Sequence, residues 1–250
     1  MFTKILIANR GEIALRIHWN EKSRMLKLSV PTLFPGAEYL GQAAFGVQSL
    51  PTTGREVVAQ KWTAAVDRAT DAALTCINDG VYGSDFLEGE LRLSLLRSAA
   101  YSGHPIADRP IVLQDRYTPR IDQGERLFRF WFNAGPVEDR LARIDREALA
   151  WNERPMALSF YPPGTGAVPE APILIDDDVV QLSAIKLAED GDDLVVRLFE
   201  PTGHARTAHV RFPVLGADVA VDFGPFEIKT FRLNAKTRQV VEVDLLERPV

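Results

Sequence analysis

The feature that most constrains the fold is a series of short segments in which apolar and polar residues alternate. Such an alternation places successive side chains on opposite faces of a β-strand. Turn-forming Gly, Pro, Asn and Asp separate the segments, as they do in antiparallel sheets packed as a sandwich. In the second half of the chain the segments are residues 194–200, 207–212, 217–223, 226–233 and 239–246. The sequence therefore predicts a mainly β fold of antiparallel sandwiches.

The first half of the chain shows the same pattern with one interruption. Leucines alternate with polar residues over 91–95, and phenylalanines alternate over 128–132. Residues 137–152 instead place apolar side chains at helical spacing, with acidic residues in the first turn and Pro155 beyond the last, which predicts one short helix. Residues 161–172 are rich in Pro and Gly and are predicted to link a larger first sandwich to a smaller second one.

Composition excludes several classes of protein. The 250 residues contain 29 Lys and Arg against 34 Asp and Glu, a net charge of −5, so no general basic field favours nucleic acid or an anionic membrane. No apolar run is long enough to span a bilayer, and the opening residues do not form a signal peptide. The single cysteine, Cys76, cannot form an internal disulfide, and a cytoplasmic location is therefore expected.

Side chains that could bind a metal or perform catalysis are few. We expect His209 to be a solvated strand residue, since its neighbours on the same face are polar. The acidic residues 176–178 and 189–193 are predicted to be charged turns, because they lack the ligand spacing of a calcium loop. No ligand spacing relates the four histidines, which are His18, His104, His204 and His209. Accordingly, no catalytic residue and no metal ligand is predicted.

A polar, glycine-containing loop over residues 78–85 is the best candidate for a binding site. Its amide and carboxylate groups suit hydrogen bonds to sugar hydroxyls, and its aromatic ring suits stacking on a pyranose. The same composition also fits a tight loop in which Asn78 and Asp79 bond to their own backbone. The candidate sugar-binding residues are Asn78, Asp79, Tyr82 and Asp85.

Around this loop the sequence resembles the C-terminal region of glycoside hydrolase family 38, the α-mannosidases. In both, an Asn-Asp pair is followed by Tyr-Gly and then by the strand L-R-L-S-L-L-R-S, here residues 91–98. Further blocks of the resemblance lie at residues 19–27, 56–62, 190–201 and 226–230. The chain departs from the family at Gln60, where the family often has His.

The resemblance implies a fold and a function. The fold would be a galactose-mutarotase-like supersandwich over residues 18–168 and a smaller sandwich over 173–250. The function would be to form part of the sugar pocket and the scaffold of an α-mannosidase, with the α-mannoside and the family's catalytic domain as partners. The family's zinc ion and nucleophilic Asp belong to that catalytic domain, whose motifs are absent here. We therefore expect no cofactor in this chain and no activity from it alone.

The opening residues 1–17 do not fit this resemblance. They read as a strand at 5–7, a turn at Gly11 and a short helix from Glu12, and they are similar to the start of biotin carboxylases. They are predicted to be a foreign peptide joined to a truncated mannosidase region. Truncation would expose apolar surface, so self-association is expected. Two alternative functions stay open, namely a non-enzymatic carbohydrate-binding or structural module and a biotin carboxylase fragment.

Overall fold

The computed structural model describes residues 5–7, 11–100, 119–157, 166 and 170–250. The chain divides into two compact units. The first comprises Met1–Gln42 and Gln48–Arg140, and the second comprises Ala43–Val47 and Leu141–Val250. Most of the predicted linker at 161–172 lies outside the described residues, and so does His104.

Two antiparallel sheets form the first sandwich, and their strands are numbered here along the chain. These strands are β1 (Ile5–Ile7), β2 (Glu12–Trp19), β3 (Met25–Pro31), β4 (Glu38–Ala43), β5 (Gly46–Leu50), β6 (Val57–Val58), β7 (Trp62–Asp67), β8 (Ala72–Asn78), β9 (Gly83–Leu87), β10 (Glu90–Arg97) and β11 (Gly124–Gly135). One sheet has the order β1-β2-β11-β8-β7-β4-β5, and the other has the order β3-β10-β9-β6.

The core of this sandwich follows from the alternation along its strands. Leu91 and Leu93 of β10 are buried in the core, whereas Arg92 between them lies on the outer face of the four-stranded sheet. Tyr39 and Phe86 stack in the core with ring centroids 5.2 Å apart. Cys76 on β8 is buried in the same core, and burial raises the pKa of its thiol.

Near the start of the chain the structure corrects one prediction. The residues from Glu12 form the strand β2 and not a helix. The strand pairs with β1 on one side and with β11 on the other, and it buries Leu15 and Ile17 in the core. The physical reason is that Ile13, Leu15 and Ile17 recur with a period of two, which a strand buries on one face and a helix does not. The strand runs through the boundary predicted between residues 17 and 18.

The predicted helix is confirmed. It is α1 (Val137–Asn152), which follows β11 directly and has Glu138 and Asp139 in its first turn. The backbone N–H of Val137 donates to Asp71 Oδ1 at 3.1 Å, so a carboxylate satisfies one of the free donors at the N-terminus of the helix.

The second sandwich is smaller and also antiparallel, which confirms the predicted two-sandwich fold. Its sheets have the orders β12-β15-β16 and β13-β14-β17-β18. A one-turn 3₁₀ helix, Pro213–Leu215, follows β15, and the core includes Val196, Leu198 and Phe231. The strands are β12 (Leu174–Ile175), β13 (Gln181–Leu187), β14 (Leu194–Phe199), β15 (Arg206–Phe212), β16 (Ala217–Phe223), β17 (Ile228–Asn234) and β18 (Gln239–Val243).

Candidate functional site

The candidate loop connects the two sheets of the first sandwich, from the end of β8 to the start of β9. Asn78 begins it and is buried. Its Nδ2 donates to the carbonyl of Gln60 at 2.8 Å, and its Oδ1 accepts from the backbone N–H of Val81 at 3.1 Å. The Asn78 amide therefore shapes the loop from inside, as asparagine commonly does in turns.

Asp79 and Tyr82 are the exposed members of the predicted set. The backbone N–H of Asp79 donates to the carbonyl of Arg129, and the carbonyl of Tyr82 accepts from the N–H of Ala59 at 3.1 Å. The backbone is thus held at both ends of the loop. Tyr82 is 53% exposed, and Asp79 is exposed as well.

Asp85 lies on β9 directly opposite Arg92 of β10, and its side chain is only 2% exposed. One carboxylate oxygen, Oδ1, accepts from Nε of Arg92 at 2.5 Å, and the other accepts from the ammonium group of Lys27. Lys27 belongs to β3, so its side chain reaches across β10 to meet Asp85. Both oxygens of Asp85 are therefore engaged inside the protein.

Glu56 completes this group of charges. Its carboxylate accepts from Lys27 and from the hydroxyl of Ser94 on β10. Partial burial opposes the charge on Lys27, but hydrogen bonds to Asp85 and Glu56 outweigh it and raise the pKa of Lys27. We call these five residues the outer-face cluster: Lys27, Glu56, Asp85, Arg92 and Ser94.

Two glycines make room for the outer-face cluster. A Cβ at Gly83 would lie 3.1 Å from Oε1 of Glu56 and 3.3 Å from Cβ of Ser94. A Cβ at Gly54 would lie 2.9 Å from Nη2 of Arg92, and Gly54 has a φ of +75°, a conformation that side chains disfavour. A side chain at Gly83 would therefore press against Glu56 and Ser94, and one at Gly54 would be disfavoured by the backbone and would also meet Arg92.

The second sandwich contains a buried carboxylate that the sequence analysis did not single out. Glu200 follows β14 and is completely buried. Its Oε2 accepts from the backbone N–H groups of Gly203 at 2.7 Å, Phe226 at 3.1 Å and His204 at 3.2 Å. Its Oε1 accepts from the N–H and hydroxyl of Thr202 and from Nε of Arg206.

These hydrogen bonds give Glu200 a structural role. They join the loop before β15 to the turn before β17. Burial by itself would raise the pKa of Glu200, but its hydrogen bonds to Thr202, Phe226 and Gly203 outweigh burial and hold that pKa below its usual range.

The acidic segments form turns, as expected. Oδ1 of Asp177 accepts from the N–H groups of Val179 and Val180 at 2.6 and 2.8 Å. Arg232 binds Asp190 and Asp193 at 2.7 Å and so closes the turn between β13 and β14. Among the residues that the structure describes, no three His, Cys, Asp or Glu side chains lie close enough to hold a metal ion.

The remaining sequence expectations concern exposed features. His209 lies on β15 and is exposed, as predicted for a solvated strand residue. Its Nδ1 lies 3.6 Å from Oδ1 of Asp218. In the described part of the chain, no helix is both long and apolar enough to cross a membrane.

Comparison with known proteins identifies the family. Residues 8–109 match the model of the glycosyl hydrolases family 38 C-terminal domain, and residues 179–250 match that of the family 38 C-terminal beta sandwich domain. Alpha-mannosidase G of Dictyostelium discoideum is 24% identical over 89% of this chain, which spans 22% of that protein.

Solved structures agree in fold. An α-mannosidase from Enterococcus faecalis V583 superposes with a TM-score of 0.71 and 17% identity over 92% of this chain and 28% of that protein. A family 38 protein from Enterococcus faecalis superposes with a TM-score of 0.73 and 18% identity over 92% of this chain and 29% of that one. The chain therefore spans less than a third of these relatives. Its two sandwiches carry the matches in order, and the chain belongs to the C-terminal region of glycoside hydrolase family 38.

Proposed function

We propose that the chain forms the C-terminal scaffold of an α-mannosidase and contributes one wall of its sugar pocket. The observation that carries the proposal is the pair of family matches, which fall on the two sandwiches in chain order. Two of the relatives with which the chain aligns are named as α-mannosidases, which supports an α-mannoside as the sugar. Further parts of the proposal are a cytoplasmic location and a place in mannose metabolism.

Within the candidate loop, the proposed contacts to the sugar divide by exposure. Tyr82 would stack its ring on the pyranose, and Asp79 would accept hydrogen bonds from hydroxyls, because both are exposed. Asn78 and Asp85 would act indirectly by holding the loop and the first residues of β9, since their polar atoms are bonded within the protein.

Hydrolysis itself is assigned to the rest of the enzyme. Retaining glycosidases use one carboxylate as the nucleophile and a second as acid and then base. The described residues do not fit a zinc site, because they bring no three potential ligands together. No catalytic step is therefore derived for this chain, and zinc is proposed for the catalytic domain.

Two assays test the proposal. With zinc and an aryl α-mannoside, we expect the 250-residue chain to show no turnover, and clear turnover would contradict the scaffold assignment. Replacing the counterpart of Tyr82 or Asp79 by Ala in a full-length relative should lower its activity on a mannoside. A substitution at the counterpart of exposed Asp218, in the second sandwich, is the control. Unchanged kinetics in both loop variants would refute the pocket role.

A purely structural module is the second candidate function. It is favoured by the engagement of Asn78 and Asp85 in internal hydrogen bonds and ion pairs. Calorimetry with mannose separates the two candidates, because a module that serves only as a scaffold gives no binding heat.

We also propose that the isolated chain self-associates. Leu33, Val58 and Leu187 are 90%, 66% and 63% exposed, and exposed apolar surface promotes association. Sedimentation velocity over a concentration series tests this, and a single monomeric species at all concentrations would contradict it.

A further inference from the structure

The dipeptide Asp-Gly occurs twice in the chain, as Asp79-Gly80 and as Asp190-Gly191. This dipeptide is chemically labile, because glycine has no side chain to shield its backbone nitrogen from the preceding carboxyl group. Both dipeptides lie in exposed loops, and both glycines have a positive φ, +81° at Gly80 and +116° at Gly191. The two sites share their dipeptide and their exposure, so they can differ only in what surrounds them.

At the second site, Arg232 holds the aspartate in place. Its Nη1 donates to Oδ1 of Asp190 at 2.7 Å, and its Nη2 donates to the backbone carbonyl of Asp190 at 2.9 Å. A guanidinium that bonds both the carboxylate and the backbone fixes the side chain relative to the peptide. The Asp190 carboxylate must therefore leave Arg232 before it can turn toward the nitrogen of Gly191.

At the first site, the aspartate has no such partner. Among the residues that the structure describes, none makes a hydrogen bond or an ion pair with the Asp79 carboxylate, and none accepts from the N–H of Gly80. No atom outside the neighbouring residues lies within 4 Å of the place where a Cβ of Gly80 would stand. The carboxyl group and the backbone nitrogen are therefore both open to water and to each other.

We propose that Asp79 is a site of spontaneous isomerisation to isoaspartate and that Arg232 protects Asp190 from the same reaction. In the first step, the backbone nitrogen of Gly80 attacks Cγ of Asp79 in its acid form. A bond forms between this nitrogen and Cγ, and the proton of the nitrogen leaves with the carboxyl hydroxyl as water. The product is a succinimide ring in the backbone.

In the second step, water opens the ring. Attack at the side-chain carbonyl breaks the new bond to Cγ and returns aspartate. Attack at the backbone carbonyl breaks the original peptide bond and leaves Gly80 joined to Cγ of residue 79, which is isoaspartate. One water molecule is lost and one is gained, so the reaction needs no oxidant, reductant or cofactor.

Isoaspartate would change the shape of the candidate loop. The backbone would run through Cβ and Cγ of residue 79 and would be one atom longer. The hydrogen bond from the N–H of Val81 to Oδ1 of Asn78, 3.1 Å long, spans this residue. The longer backbone would break that bond and displace Tyr82, so the loop loses its shape as the protein ages, whatever the loop binds.

The test is prolonged incubation of the folded full chain in mildly acidic buffer made with water enriched in heavy oxygen. Each passage through the ring adds one heavy oxygen atom, and peptide mapping with electron-transfer fragmentation separates isoaspartate from aspartate. We expect labelling at Asp79 to be about tenfold faster than at Asp190, because the latter must first leave Arg232. Asp79→Glu is the matched control, since it keeps the charge but requires a larger ring that forms less readily.

Unfolding the chain in urea tests whether the fold causes the difference. Arg232 no longer holds Asp190 there, so we expect the two rates to converge. Equal rates at the two residues in the folded chain would overturn the inference, and so would a difference that persists in urea. Absence of heavy oxygen from both residues of the folded chain would also overturn it.

Discussion

Asp85 in the first sandwich and Glu200 in the second are both carboxylates that are almost completely buried, and the two are stabilised in different ways. Asp85 in the first sandwich is neutralised by two cationic side chains, Lys27 and Arg92, which come from other strands. Glu200 in the second sandwich accepts most of its hydrogen bonds from backbone N–H groups of nearby turns. One site depends on charges brought together by sheet register, and the other depends on local backbone geometry.

This difference determines what each site loses when its charge is removed. Without Asp85, two partly buried cations would face each other with only Glu56 to compensate. Without the charge on Glu200, the neighbouring N–H groups would lose an ideal acceptor but would carry no net charge themselves, and Arg206 would keep its ion pair with Asp177. A buried charge left unpaired costs more than a neutral donor left unpaired.

The largest expected effect is therefore that of Asp85→Asn. We expect it to destabilise the first sandwich by about 3–5 kcal/mol, because it leaves Lys27 and Arg92 without their shared partner. Urea unfolding followed by tryptophan fluorescence measures the loss. Asp218→Asn, which alters an exposed carboxylate, is the control and should change stability little. Equal stabilities for the two variants would mean that the Asp85 ion pairs are dispensable.

The next effect is that of Glu200→Gln. The amide keeps one acceptor oxygen but points an NH₂ group at donors, so we expect a loss of about 2–3 kcal/mol in the second sandwich. Urea unfolding followed by far-UV circular dichroism measures it, because residues 173–250 contain no tryptophan. A loss larger than that of Asp85→Asn would reverse the comparison between the two sites.

The next expected effect is a difference between the two sandwiches in how acid changes their stability. The pKa of Glu200 is lower in the folded protein than in the unfolded chain. The ionised Glu200 therefore stabilises the folded state fully at pH values above the unfolded pKa. This stabilisation is lost as the pH falls through the folded pKa. We expect the second sandwich to weaken below about pH 4 and Glu200→Gln to flatten that dependence. Hydrogen exchange of β14 and β17 amides as a function of pH provides the measurement.

Base should have its effect on the first sandwich. Burial raises the pKa of Tyr39 to about 12, and the pKa of Lys27 is also raised. Both groups hold their protons more tightly in the folded protein than in the unfolded chain. Their contribution to the free energy of unfolding is therefore lost as the pH rises above about 10. Tyr39→Phe should reduce the alkaline slope of the unfolding free energy, and an unchanged slope would show that Tyr39 does not contribute.

The smallest expected effect is that of Gly54→Ala, which disturbs the Asp85 site without changing a charge. The new Cβ would meet Nη2 of Arg92 at 2.9 Å in a backbone conformation with φ of +75°. We expect a loss of about 1–2 kcal/mol. Gly124→Ala, at a φ of +89° and with no atom within 4 Å of the new Cβ, is the matched control in a thermal melt. Identical melting temperatures would show that Arg92 moves aside freely.

Local pattern explains which parts of the fold the sequence predicted. The alternation in β10 and the helical spacing in α1 are properties of neighbouring residues, and both elements are where they were expected. β2 was missed because the turn at Gly11 suggested a following helix, although its apolar residues recur every second position. A period count over Ile13, Leu15 and Ile17 would have identified the strand.

The candidate site could be predicted only in part. The loop at residues 78–85 was visible as a polar, glycine-containing segment, but the meeting of Lys27 with Glu56 depends on strand register across the sheet. Glu200 looked like an ordinary charged residue after a strand, since its burial arises from turns that fold over it. Such long-range contacts leave no short-range signal in a single sequence.

The burial of Cys76 gives the first sandwich a built-in reporter. It is the only cysteine of the chain, and it lies in the core that β8 shares with both sheets. A thiol reagent can reach it only when that core opens, so the labelling rate under native conditions measures the opening equilibrium of this sandwich alone. One mass-spectrometric time course would thus follow the first sandwich in every variant described above, with no probe added to the protein.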